Sequence, residues 1–444
     1  MASTLYPPDA TALAAGWAAL KKAKAAGTQN DRERGFVAAL ESFFGDWETL
    51  NNATRVMAYE KAMETLHGRF PEDLEVTTFY GLALITASSP KDKTYAKQKK
   101  AAALLQQVFT AQPDHPGASH YIIHAFDYPE LAALGLPAAR NYSKIAPAAP
   151  HALHMPSHIF TRLGLWRDSI ASNRSSERAA KDYEARVKME GAWDEQLHAM
   201  DYLAYAYLQL GQDRDAKAVL DELRTIKKVQ PENVKTAYAF AALPARYALE
   251  RRNWVEAAAL TPLHGSDLKW PSGVTSFARG YGLVRLGDLA GARRELVALE
   301  TVELEMAQPK DPFWSDYIEA LRRGLEAWIV HAEGHEPEAL TLMRSAADLE
   351  DATDKHPVTP GSVLPMRELL GELLLEESDG NRALVEYETA LRLAPHRLAA
   401  LYGAARAADA AKAKRYFGQI VEQCTHADGD RAEIKQARER LTGQ

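Results

Sequence analysis

Residues 203–216 read LAYAYLQLGQDRDA, and this stretch decides the fold. Leu203, Ala206 and Leu210 recur at intervals of three and four, the spacing that lines one face of an α-helix. Gly211 follows at once. A glycine there lets the backbone take φ > 0 and end the helix. Ala216, five residues past the turn, is small enough for a second helix to pack closely on the first. The pattern returns as Leu163-Gly164-Leu165-Trp166 with Ser169, Arg252-Asn253-Trp254 with Ala257, and Leu286-Gly287 with Ala292. It returns again as Gly334 with Ala339 and Ser378 with Ala383, so the small residue recurs every 35 to 47 positions.

Working outward, prolines in Gln112-Pro113-Asp114, Ala146-Pro147 and Ala394-Pro395 should stop one helix and open the next. Residues 57–70 and 76–87 look like a further helical pair around Phe70-Pro71-Glu72-Asp73. Long alternating strand patterns are absent. The expected fold is all-α: helical hairpins stacked as one divergent repeat array over 1–444, a superhelix with a concave groove. Its parts are an N-terminal set over 1–112, a histidine-rich set over 113–211 and a C-terminal set over 212–444. Residues 351–365, with prolines at 357, 360 and 365, form the longest irregular candidate, of a length that often carries function.

Composition limits the chemistry. The 444 residues carry 60 acidic and 53 basic side chains, a net charge of -7, so no broad cationic field exists to grip nucleic acid. The single cysteine, Cys424, excludes an internal disulfide framework and a CxxC redox site. No apolar run approaches the length of a membrane span, and the lysines near the start come too late for a secretory signal. A cytoplasmic protein is the expectation. Phosphate-loop, dinucleotide-binding and GxSxG signatures are absent from the sequence.

The histidines are the informative feature. Six of the 14 fall between 115 and 158, where residues 115–166 read HPGASHYIIHAFDYPELAALGLPAARNYSKIAPAAPHALHMPSHIFTRLGLW. This stretch resembles a group of mostly uncharacterised bacterial tetratricopeptide-repeat proteins that carry the same histidine-rich motif. The looser likeness of the whole chain to such repeats implies a helical-hairpin fold and a binding surface. No activity carries over from that group, so the chemistry must come from the residues.

His120 and His124 are four apart on one first helix of a hairpin, and His151, His154 and His158 are three and four apart on the next. Imidazoles at i and i+4 can reach a single ion from one helix face. The expected ligands are His120, His124, His154 and His158. An imidazole set without thiolate suits copper, iron or zinc and disfavours magnesium or calcium. Pro156 leaves two arrangements open: a kinked continuous helix, or a helix starting there with His151 and His154 on its entry loop. His115 is expected to cap or turn.

Around these, His151, His198, Asp201, Tyr121, Tyr202 and Glu368 are candidates for supporting the ion or lining a substrate groove. Glu368 and Glu372 would share a helix face, although a solvated stripe is the plainer reading. Tyr121, Tyr202, Arg279 and Trp314 are possible groove residues, although aromatics in such repeats more often serve packing, and Glu60 is a weaker candidate. The expected function is a metal-dependent enzyme oxidising or hydrolysing a small molecule. The alternatives are a scaffold for a peptide or protein partner, and a metal storage or sensing protein.

Overall fold

The computed structural model describes residues 8–27, 30–89, 92–306, 312–353 and 355–442. It forms two compact units, Met1–Ala146 and Pro147–Gln444. Both are built from helices, and the only strands among the described residues are a parallel pair, Ala192–Trp193 with Val229–Gln230. The all-α helical-hairpin expectation is met. No described helix is long and apolar enough to cross a membrane.

In the first unit each helix packs on the next, from Ala10–Ala26 through Asn52–Arg69, Leu74–Thr86 and Ala96–Ala111 to Pro116–Phe126 and Ala132–Ile145. Leu74–Thr86 also touches Pro116–Phe126, the next first helix along, which is the contact that makes a stack of hairpins. The pair expected over 57–70 and 76–87 is present as Asn52–Arg69 and Leu74–Thr86. Helices end at Ala111, Ile145 and Leu393, each just before its proline.

In the second unit the first helices of successive hairpins form a continuous inner layer: Asp194–Gln209, Val234–Glu250, Trp270–Leu286, Pro312–Ala332, Met366–Glu376 and Leu398–Ala407. Their partners, among them Asp213–Thr225, Leu289–Glu305 and Glu336–Thr353, each pack on the preceding inner helix. The small residues do what their spacing requires. Ser169, Ala216, Ala257, Ala292, Ala339 and Ala383 are all completely buried at the hairpin seams. Gly211 has φ +66°, and a Cβ there would stand 2.5 Å from Ile434 Cδ1. That neighbour lies more than two hundred positions away in sequence.

This last contact reflects a closure within the unit. The Trp166 indole donates to the His396 carbonyl at 3.0 Å, Asp428 N–H donates to the Gly211 carbonyl at 3.1 Å, and Arg431 binds Asp213. The last hairpins therefore return to the first. The inner face is filled as well. Within the irregular stretch 355–365, the Thr359 carbonyl accepts from Tyr202 Oη and the Gly361 carbonyl from Tyr238 Oη and Arg246. Every residue of Asp194–Gln209 is buried.

Candidate metal centre

His154 ends the short helix Pro150–His154, and Pro156 opens the next, Pro156–Arg162. Met155 between them keeps helical angles, φ -51° and ψ -37°. The proline thus falls where its missing N–H does no harm, and the i, i+4 relation of His154 to His158 survives the break. The outcome lies between the two arrangements left open by the sequence: His151 and His154 are helical, but on a separate turn.

The Nε2 atoms of His154 and His158 are 3.0 Å apart. His198, on Asp194–Gln209, brings its ring centroid within 4.1 Å of that of His154 and 6.3 Å of that of His158. One nitrogen from each of the three lies within 4.8 Å of the others. All three side chains are buried, His154 completely. Tyr202, one turn after His198, packs its ring against all three, with centroids 4.7, 5.3 and 5.4 Å away.

The protonation of His154 follows from its neighbour. Asn173 Nδ2 donates to the Ser169 carbonyl at 2.8 Å, which turns the amide oxygen toward His154 Nδ1, 2.6 Å away. An oxygen there requires an N–H, so Nδ1 carries the proton and Nε2 presents a lone pair to the other imidazoles. Burial pushes the pKa of both His154 and His198 well below the ordinary histidine value, and the neighbouring imidazoles add to it. Burial thus favours the neutral form at His154 and His198, which leaves unprotonated nitrogens beside His158.

In the first unit, His120 and His124 bring their Nε2 atoms within 3.1 Å on the helix Pro116–Phe126. The His120 ring stacks between Tyr121 and Tyr142, at centroid distances of 5.3 and 5.4 Å. The four expected ligands thus sit as two i, i+4 pairs, one in each unit. His115 caps its helix, with Nδ1 accepting from Ala118 N–H at 3.1 Å.

The remaining candidates have polar or ring partners of their own. His151 Nδ1 lies 3.4 Å from Glu195 Oε2, and this contact, with Lys235, holds the Glu195 carboxyl below its usual range against the effect of burial. Asp201 is buried in an ion pair with Arg246. Glu368 and Glu372 are not a solvated stripe: both are buried. Glu368 takes a forked pair from Arg397, with Nε 2.5 Å from Oε1 and Nη2 2.9 Å from Oε2. Glu372 accepts from Arg252, Arg406 and Tyr387. Of the weaker candidates, Arg279 pairs with Glu295, Trp314 stacks on Trp270 at 3.7 Å, and Glu60 pairs with Lys97.

Reading the sequence undervalued His198 and missed Asn173. The available signal was the small polar stripe Ser169, Asn173, Ser176 on Trp166–Val187, spaced by four and three and completely buried. A buried polar stripe must find partners. Here one of them is a ligand-type histidine.

No family model and no curated protein matches the chain. Solved structures to which it is similar include a tetratricopeptide repeat protein from Parabacteroides merdae, at 11% identity over 77% of this chain and 98% of that one, TM-score 0.35. Yeast Tom70 is similar at 12% identity over 92% and 96% of the two chains, TM-score 0.32. Human IFIT1 with m7Gppp-AAAA is similar at 12% identity over 97% and 87%, TM-score 0.36. Likeness at these scores carries no argument about function.

Proposed function

We propose that the chain is a metal-dependent enzyme in which His154, His158 and His198 bind a divalent transition ion that acts on a small molecule by oxidation or hydrolysis. The observation behind this reading is the convergence of three buried imidazole nitrogens, one of them fixed as a lone pair by Asn173. A ligand histidine characteristically gives its other ring N–H to an oxygen acceptor, which orients the ring and strengthens the ligand. Three imidazole nitrogens favour copper, then iron or zinc, over magnesium or calcium. They leave at least one position for water or substrate on a four-coordinate ion. The motif over 115–166 supports grouping the chain with the bacterial repeat proteins that share it. His120 and His124 offer a second chelating pair in the first unit. A peptide groove is less well supported in the second unit, because the stretch 355–365 already hydrogen-bonds the inner helices.

The test is elemental analysis of untagged protein purified without chelator. About one equivalent of copper, iron or zinc that is lost in His154→Ala and His158→Ala variants is the expected result. A spectrum altered by azide or cyanide would mark an open coordination position, whereas an unchanged one would argue for storage or sensing. A protein that neither retains nor takes up these metals rules the reading out, and a peptide-binding scaffold then becomes the better account.

A further inference from the structure

A second cluster of ligand-type groups lies elsewhere in the second unit, where three helix ends meet. His331 sits in the last turn of Pro312–Ala332, Glu336 is the first residue of Glu336–Thr353, and Glu376 ends Met366–Glu376 with Glu377 as its C-cap. The imidazole faces two ways. Its Nε2 is 3.1 Å from Glu376 Oε2, and the other oxygen of that carboxylate accepts from Arg285 Nη1 at 2.6 Å. Its Nδ1 is 2.7 Å from Glu336 Oε2 and 3.6 Å from Glu377 Oε1.

From this geometry we infer a divalent-cation site of the zinc type, with His331 Nδ1, Glu336 and Glu377 as ligands and Glu376 as the residue that orients the imidazole. The three ligand atoms lie within 4.8 Å of one another. Ligands about 2 Å from a tetrahedral zinc ion stand roughly 3.3 Å apart, so only side-chain adjustments are needed to close around an ion. The orienting arrangement is the one that metal-bound histidines use: the N–H remote from the ion meets a carboxylate, which Arg285 in turn holds in place.

The electrostatics point the same way. Glu376 and Glu377 lie at a helix C-terminus, where the peptide dipoles already concentrate negative potential and a carboxylate is unfavourable. Three carboxylates meet here, and Arg285 addresses only Glu376. A cation between Glu336 and Glu377 would relieve their repulsion. A mixed nitrogen–oxygen donor set suits zinc, in contrast to the all-imidazole set at His154. The two sites are separate proposals and neither requires the other.

The experiment is a zinc titration of the chelator-stripped full chain, with bound zinc counted after gel filtration, in wild type, a Glu336→Gln/Glu377→Gln variant and His154→Ala. The double variant should hold one zinc fewer than wild type, and His154→Ala should keep the equivalent that the double variant loses. Glu376→Gln should weaken the same zinc by 10- to 100-fold through its effect on the ring. Equal zinc in wild type and a folded double variant would overturn the site and leave His331 as an imidazolium bridging carboxylates. If the double variant does not fold, zinc-edge absorption on His154→Ala protein decides: a first shell of one nitrogen and two or more oxygens supports the site, and no tightly held zinc overturns it.

Discussion

Asn173 Oδ1 lies 2.6 Å from His154 Nδ1, and this contact sets which nitrogen of the imidazole is available for chemistry. Asn173→Ala removes the acceptor and frees both the ring and its tautomer. Metal affinity should fall by about 10- to 100-fold, as when other outer partners of ligand histidines are lost. Competition against a chelator of known affinity measures this directly. An unchanged affinity would mean that His154 needs no orienting partner.

His198 separates a three-ligand centre from a two-ligand pair. If it is a ligand, His198→Ala should cost more affinity than Asn173→Ala and match His158→Ala, because each removes a nitrogen from the ion. His335→Ala, at an exposed turn, should leave metal content unchanged. Equal metal retention by His198→Ala and wild type would return His198 to a packing role.

Much of the fold was legible because hairpin seams demand small residues at fixed offsets. Ala216, Ala257 and Ala292 could be placed by counting from a turn, without knowing what they touch. The i, i+4 pairs His120–His124 and His154–His158 were legible for the same reason, since helical spacing is local. What the sequence did not reveal depends on closure. Trp166 meeting His396, and Arg397 meeting Glu250 and Glu368, join positions separated by 230, 147 and 29 residues. No local pattern encodes such contacts. Glu368 and Glu372 looked solvated because their arginine partners come from other helices.

Glu350 should make stability depend on pH near neutrality. Burial pushes its carboxyl up to about 7, against which the Ser362 hydroxyl and the Met366 N–H, both at 2.7 Å, act only partly. The unfolded carboxyl ionises near 4.5. Between these values the folded chain holds the extra proton, so this group's contribution is complete below about pH 4.5 and is lost as pH rises through 7. The full effect is on the order of 3 kcal/mol. Urea denaturation at pH 5 and pH 8 should show wild type losing stability relative to Glu350→Gln. Parallel pH dependence in the two proteins would refute this account of Glu350.

Arg397 should be a structural keystone with no part in metal binding. Its guanidinium is completely buried, forks onto Glu368, reaches Glu250 Oε1 at 2.8 Å and meets Tyr205 Oη at 2.8 Å. Arg397→Ala would strand two buried carboxylates, a change that typically costs about 3–5 kcal/mol. Arg397→Lys should also destabilise, because an ammonium cannot fork onto one carboxylate and still reach two further partners. Combining Arg397→Met with Glu250→Gln and Glu368→Gln should recover most of the loss, since no unpaired charge then remains. Chemical denaturation gives the stabilities. Metal analysis of Glu368→Gln adds the functional control and should match wild type, because Glu368 is committed to Arg397. An Arg397→Ala protein within 1 kcal/mol of wild type would show that the carboxylates find other partners or take up protons.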